Sequence, residues 1–175
     1  MRKVTFGVAN SLDNFIARKN HAYDWILWGK EAARYMADYW KTIDTIVMGR
    51  KTYDVARKNS KGSSAYPGMI CYVFSRTLKD KGDESTHIIS EDAGKFVGKL
   101  KKSKGKGICV MGGGELAKSL FEAKVIDEVG LCIHPVLLGS GIPLFLPMKQ
   151  QIDLKLKECR AFKNGCVLVT YQVRH

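Results

Sequence analysis

The alternation of two apolar periods restricts this chain most. Short, nearly continuous runs rich in β-branched residues occur at 4–9, 45–48, 69–74, 87–89, 107–111 and 129–133. Such runs suit strands buried on both faces. Between them lie segments of helical spacing. Ala33, Met36, Ala37 and Trp40 fall at i, i+3, i+4, i+7, as do Ala93, Phe96, Val97 and Leu100. Leu116, Ala117, Leu120 and Phe121 share one side of a third helix. Ahead of the second helix, Ser90 suits an N-cap, with Glu91 and Asp92 in the first turn. Lys99, Lys101 and Lys102 close it, as the helix dipole favours. Strands alternating with helices imply βαβ crossovers. The expected fold is a three-layer α/β sandwich around a mostly parallel sheet.

The end of the chain follows another rule. Ile152, Leu154 and Leu156 alternate with charged residues, and the phase then slips to Cys159 and Ala161. A β-bulge near Glu158 accounts for the slip. Asn164-Gly165 signals a hairpin turn, and Val167, Val169, Tyr171 and Val173 share a face of the return strand. A C-terminal antiparallel hairpin should therefore close one edge of the sheet.

Length and composition bound the rest. The 175 residues suit a single domain over 1–175, with the turn-rich stretch 59–68 read as a surface loop. Apolar residues at 45% and charged residues at 26% exclude a disordered chain. A net charge of +12 attracts anions, whether nucleotides, nucleic acid or acidic lipid. The basic start lacks the apolar core of a signal peptide. The stretch 129–148 has no Asp, Glu, Lys or Arg, but prolines and glycines break it, so no membrane span is expected. Five cysteines are an odd number without a CxxC pair or metal spacing. No metal site is expected from them, and a reducing cytoplasm fits.

The sharpest local feature is a buried strand running into Gly112-Gly113-Gly114 and a helix. Such a turn either cradles an anion on free backbone N–H groups or simply reverses the chain tightly. The looser dinucleotide pattern Gly112-x-Gly114-x-x-Ala117 lacks the acidic ribose ligand of a Rossmann site. Two other strand ends carry Gly49-Arg50-Lys51-Thr52-Tyr53 and Ser75-Arg76-Thr77. Either basic cluster alone reads as solvated surface. Ligands of parallel sheets lie beyond the carboxyl ends of strands, so three such ends can converge on one polyphosphate. Guanidinium groups suit a 2′-phosphate.

Four segments in order resemble the dihydrofolate reductase-like superfamily. They are residues 8–17 (Val-Ala-Asn-Ser-Leu-Asp-Asn-Phe-Ile-Ala), 47–53 (Val-Met-Gly-Arg-Lys-Thr-Tyr), 110–116 (Val-Met-Gly-Gly-Gly-Glu-Leu), and 126–129 with 135–145 (Pro-Val-Leu-Leu-Gly-Ser-Gly-Ile-Pro-Leu-Phe). The nearest branch is the reductase domain of the bifunctional riboflavin-biosynthesis deaminase–reductases. The resemblance implies a cytoplasmic, NADPH-dependent oxidoreductase, often a homodimer. Its hydride would pass to a small heterocyclic or carbonyl substrate, as in 5-amino-6-(5-phosphoribosylamino)uracil reductase. It implies that Gly49 binds the cofactor and that Arg50, Lys51, Thr52, Ser75, Arg76 and Thr77 serve its adenosine end. Gly112, Gly113, Gly114, Glu115 and Leu116 would hold the pyrophosphate, and Ala9 and Ile16 would lie near the nicotinamide. The match has departures. Ala33 stands where folate reductases carry an acid, no lysine precedes the Ser11-Leu12-Asp13 motif in the first strand, and Asn14 replaces a glycine.

On the substrate side, Asp24 and Trp25 are candidate contacts. The carboxylate can accept from an amino-pyrimidine and the indole can stack; alternatively they form a helix-start acid beside a core-edge ring. Asp24 is also the carboxylate best suited to catalysis. Tyr53 either packs or touches substrate. Asp13 is read as fixing its loop, His134 as structural, and Trp28 and Trp40 as core. Two other readings stay open: a catalytically idle nucleotide-binding relative, and a nucleic-acid binder built on the lysines of 95–106, a run that otherwise reads as a solvated helix end.

Overall fold

The structure, a computed structural model, describes residues 1–60, 66–79 and 82–175. Its elements are β1 (Val4–Ser11), β2 (Phe15–Ala17), α1 (Lys30–Lys41), β3 (Ile43–Gly49), α2 (Arg50–Asn59), β4 (Ile70–Phe74) and β5 (Thr86–Ile89). They continue with α3 (Ala93–Lys102), β6 (Gly107–Met111), α4 (Gly114–Glu122), β7 (Glu128–His134), β8 (Ile142–Pro143), β9 (Leu154–Ala161) and β10 (Val167–Val173). Eight strands form one sheet in the order β5-β4-β3-β6-β1-β7-β10-β9, and β2 pairs with β8 apart from it. The first six strands in that order run parallel. β10 runs antiparallel to both β7 and β9. This is the expected α/β sandwich with its C-terminal hairpin at one edge. The loop expected over 59–68 lies partly outside the described residues.

Alternation along each strand divides the core. Val4, Phe6, Val47, Ile108 and Val110 pack with Val97 of α3 and Leu116, Leu120 and Phe121 of α4. On the other face Ile46, Met48 and Cys109 meet Tyr39 and Trp40 of α1 and Tyr53 of α2. The faces expected for α3 and α4 are therefore the ones buried.

The face of α1 differs from expectation. Ala33, Met36 and Ala37 are exposed; Trp40 packs as expected, but Ala32, Tyr35 and Tyr39 are its inward companions. Tyr35 can turn inward because its hydroxyl donates to Glu158 at 3.0 Å, while Arg160 lies 5.2 Å above its ring. Trp28, expected in the core, is 84% exposed, ahead of the helix. α2 was not expected, because only Tyr53 gives it a large inward side chain. α3 is capped by Asp92 rather than Ser90: the Asp92 carboxylate accepts from Lys95 N–H at 2.8 Å.

The hairpin closes through Gly165 N–H to Phe162 O at 2.9 Å and Phe162 N–H to Cys166 O at 2.8 Å. Gly165 at φ 87° takes the left-handed position after the turn. The register slips opposite Thr170 and Tyr171, which pair with Glu158 and Leu156, leaving Lys157 as the extra residue.

Candidate functional site

The ends of β4, β3 and β6 are neighbours at the carboxyl edge of the sheet. Two helices start there. Gly49 precedes α2 and Gly113 precedes α4, and neither start carries a side-chain cap. α2 has no acid in its first turn. Adjacent uncapped N-termini present unpaired N–H groups and the positive ends of two helix dipoles. A Cβ at Gly49 or Gly113 would meet nothing within 4 Å, so open space borders both turns. Gly112, at φ 77°, is different: a Cβ there would lie 1.9 Å from the Thr52 hydroxyl. The glycine turn and the start of α2 are thus in contact. Arg50 donates to Thr77 Oγ1 at 3.1 Å and pairs with Asp54 at 3.4 Å. The Ser75 hydroxyl accepts from Leu78 N–H at 3.0 Å and shapes the turn that presents exposed Arg76. Gly49, Arg50, Lys51, Thr52, Ser75, Arg76 and Thr77 therefore surround the same edge as Gly112, Gly113 and Gly114. Glu115 is exposed, whereas Leu116 points into the core.

Beyond β6 the edge continues through β1 to β7. Ala9 is half-buried near the end of β1, and Ile16 of β2 packs against the core on the α3 and α4 side. The turn between them is pinned by Asp13, which accepts from the Ser11 hydroxyl at 2.6 Å, Leu138 N–H at 3.1 Å and Gly139 N–H at 2.7 Å. These bonds, led by Ser11, hold its carboxyl below the usual carboxylate range. Asn14 sits at φ 63°, a left-handed position that Asn tolerates where another residue would strain.

The remaining candidates separate. Asp24 is exposed and bound by Arg18 Nε at 2.7 Å and Nη2 at 3.2 Å, which lowers its pKa. Trp25 is 7% exposed and meets His134 edge-on at 5.4 Å. Tyr53 packs with the α1-side core. The exposed aromatic residues of this segment are Tyr23 and Trp28. The Tyr23 hydroxyl accepts from Asn59 at the end of α2. His134 is 2% exposed; its Nδ1 accepts from Leu27 N–H at 3.1 Å, and burial lowers its pKa. Cys166 Sγ lies 3.3 Å from the same nitrogen. The lysines of 95–106 are partly engaged: Lys101 pairs with Asp127 at 2.5 Å and Lys106 donates to Lys41 O at 2.9 Å.

A family model described as the RibD C-terminal domain matches residues 2–168. The chain belongs to that family. The Bacillus subtilis (strain 168) proteins YwjB and YyaP, both named uncharacterized, are each 35% identical to this chain. Those matches cover 95% and 97% of the chain and 96% and 94% of the relatives. A protein assigned to riboflavin biosynthesis from Shewanella sp. PV-4 has the same fold, with TM-score 0.83, 22% identity and full coverage of both chains. The Thermotoga maritima diaminohydroxyphosphoribosylaminopyrimidine deaminase/5-amino-6-(5-phosphoribosylamino)uracil reductase superposes with TM-score 0.74 at 14% identity. That match covers 99% of this chain and 57% of the two-activity chain.

In this RibD-family chain, sequence reasoning missed that Arg50–Tyr53 form the first turn of a helix. The signal was Gly49 followed by polar residues of adequate helix propensity. It also missed Tyr23, Trp28 and the meeting of Cys132, His134 and Cys166, which only strand register brings about.

Proposed function

We propose that the chain is an NADPH-dependent reductase acting on a small heterocyclic or carbonyl compound related to aminopyrimidines. The observation that carries this reading is the contact of Gly112 with Thr52 beside two uncapped helix starts, with Arg50 bonded to Thr77 on the third strand end. The open space at Gly49 and Gly113 fits a pyrophosphate approaching the backbone closely. Arg50, Lys51, Thr52, Ser75, Arg76 and Thr77 take the adenosine 2′-phosphate, and Gly112, Gly113 and Gly114 take the pyrophosphate, with Glu115 and Leu116 beginning the helix that anchors them. Ala9 and Ile16 border the nicotinamide.

NADPH, when bound, supplies the hydride. The protein's part is to hold the acceptor carbon in reach and exclude water. The hydrogen bond from Arg18 holds the Asp24 carboxyl below the ordinary carboxylate range. It therefore serves as an acceptor for substrate N–H groups, and the proton comes from solvent. Trp25 and Tyr53 act as walls rather than as stacking platforms. The same reading includes a cytoplasmic homodimer joined through the 135–147 segment and the hairpin, where Leu154 and Leu156 are exposed on the edge strand. Among the described residues no helix is long and apolar enough to cross a membrane.

The deciding experiment is a fluorescence titration with NADPH and NADH. NADPH should bind at least tenfold more tightly, and Arg76→Ala should weaken NADPH about 10- to 100-fold, the worth of a charge-assisted contact, while leaving NADH nearly unchanged. Equal affinities in the unaltered protein would refute the assignment. A catalytically idle relative would bind NADPH with the same preference yet consume none across a panel of pyrimidine, pterin and quinone acceptors.

A further inference from the structure

Three metal-ligating side chains that lie apart in the sequence meet on the α1 side of the sheet. Cys132 and His134 are two residues apart on β7, so both leave the same face. The pairing of Ile133 with Val167 brings Cys166, just before β10, alongside His134. The two sulfur atoms and a ring nitrogen lie within 4.8 Å of one another. Cys166 and His134 are 0% and 2% exposed, and Cys132 is half-buried. Both cysteines belong to a layer with Phe162, Leu168 and Tyr35, and Trp25 lies edge-on to the imidazole.

We propose that Cys132, His134 and Cys166 form a binding site for one divalent cation of the zinc class. Two thiolates and an imidazole are the donor set that such a borderline-soft ion prefers. Charge decides between candidate ions in so buried a place. Two thiolates neutralise a doubly charged cation, whereas a singly charged soft ion would leave net charge away from water. On binding, both thiol protons pass to solvent and two metal–sulfur bonds form, with no change of oxidation state.

The geometry is within reach of a bound state. Metal–sulfur bonds of about 2.3 Å and metal–nitrogen bonds of about 2.0 Å place tetrahedral donors about 3.5–3.8 Å apart. Cys166 and Nδ1 already stand at 3.3 Å. The remaining contraction of the cluster is about 1 Å or less. Among the described residues no fourth His, Cys, Asp or Glu joins the group, so the fourth position falls to water or a small ligand. Coordination through Nδ1 also replaces the bond from Leu27 N–H, which ties the ion to the segment that carries Asp24 and Trp25.

The site does not depend on the reductase reading, and its test uses Co²⁺ alone. Metal-free, reduced full-length protein titrated with Co²⁺ should develop, at one equivalent, a sulfur-to-cobalt charge-transfer band and the visible bands of four-coordinate cobalt. Zn²⁺ should then bleach both. Cys132→Ser and Cys166→Ser should each lose most of the charge-transfer intensity. Cys159→Ser, which alters an exposed cysteine on β9, should keep it. X-ray absorption on the zinc-loaded unaltered protein should give two sulfur neighbours, a readout independent of whether the variants fold. Absence of the band in the unaltered protein, its loss in Cys159→Ser, or a zinc shell without sulfur would overturn the site.

Discussion

Gly112 and Gly113 stand side by side and make opposite demands. Gly112 has φ 77° and no room for a Cβ because Thr52 occupies that space. Gly113 has open space where its Cβ would be. Gly112→Ala should therefore lower stability by about 1–3 kcal/mol, from left-handed strain plus the clash with Thr52. Gly113→Ala meets no neighbouring atom, so it should cost less stability than Gly112→Ala. Its methyl group instead fills the approach of a phosphate, so NADPH affinity should fall more than tenfold. Thermal melts paired with cofactor titrations separate the two. A Gly113→Ala protein that melts normally and binds NADPH normally would place the pyrophosphate elsewhere. These two roles were not separable in the sequence. Three consecutive glycines announce an unusual turn, but which of them needs its φ and which needs its empty space depends on Thr52, sixty residues earlier. Asn14 shows the converse. It looked like a departure from the family motif, and its φ of 63° makes it a second solution to the same backbone requirement.

The strands were readable because a strand buried on both faces must be continuously apolar, whereas helix faces were readable only when their inward side chains were plainly apolar. α3 and α4 meet that condition; α1 does not. Its inward residues include Tyr35 and Tyr39, and the hydroxyl of Tyr35 is acceptable inside because Glu158 on a distant hairpin receives it. Strand starts hold a comparable long-range device. Glu128, first residue of β7, takes hydrogen bonds from Lys157 of β9 and pairs with Lys3, ahead of β1, at 3.0 Å. Burial opposes its charge, but the two lysines outweigh that, so its pKa lies below the ordinary value. A carboxyl lowered on folding adds stability above its unfolded pKa of about 4.3 and loses it as pH falls through the lower, folded value. The melting temperature should thus hold from neutrality to about pH 5 and fall below it. Glu128→Gln should melt lower at pH 7 and show a shallower decline below pH 5. Parallel acid profiles of the two proteins would exclude Glu128 as a contributor.

Across the whole molecule, the proposed cradle joins β3, β4 and β6, whose carboxyl ends are distant in sequence and adjacent in the sheet. Its glycines and basic side chains were visible as separate motifs, and their convergence required only the strand order. The Cys132, His134 and Cys166 group required the exact register of β7 on β10, which no spacing rule encodes. Because the cradle exists only when all three strands are in place, a ligand seated there stabilises the folded sheet as a unit. Ligand at 100 times its dissociation constant adds about 2.7 kcal/mol, and at this chain length each kcal/mol raises the melting temperature by about 2–4 °C. Saturating NADPH should therefore raise it by about 5–10 °C. NADH at the same concentration should give a clearly smaller rise, because it lacks the phosphate that Arg50 and Arg76 are proposed to meet. The net charge of +12 adds a long-range attraction for both cofactors, which salt screens. Added salt should reduce the NADPH shift, and the preference over NADH should survive because it arises from contacts at short range. If the preference vanished in salt, the general charge of the surface would explain binding and the built cradle would not.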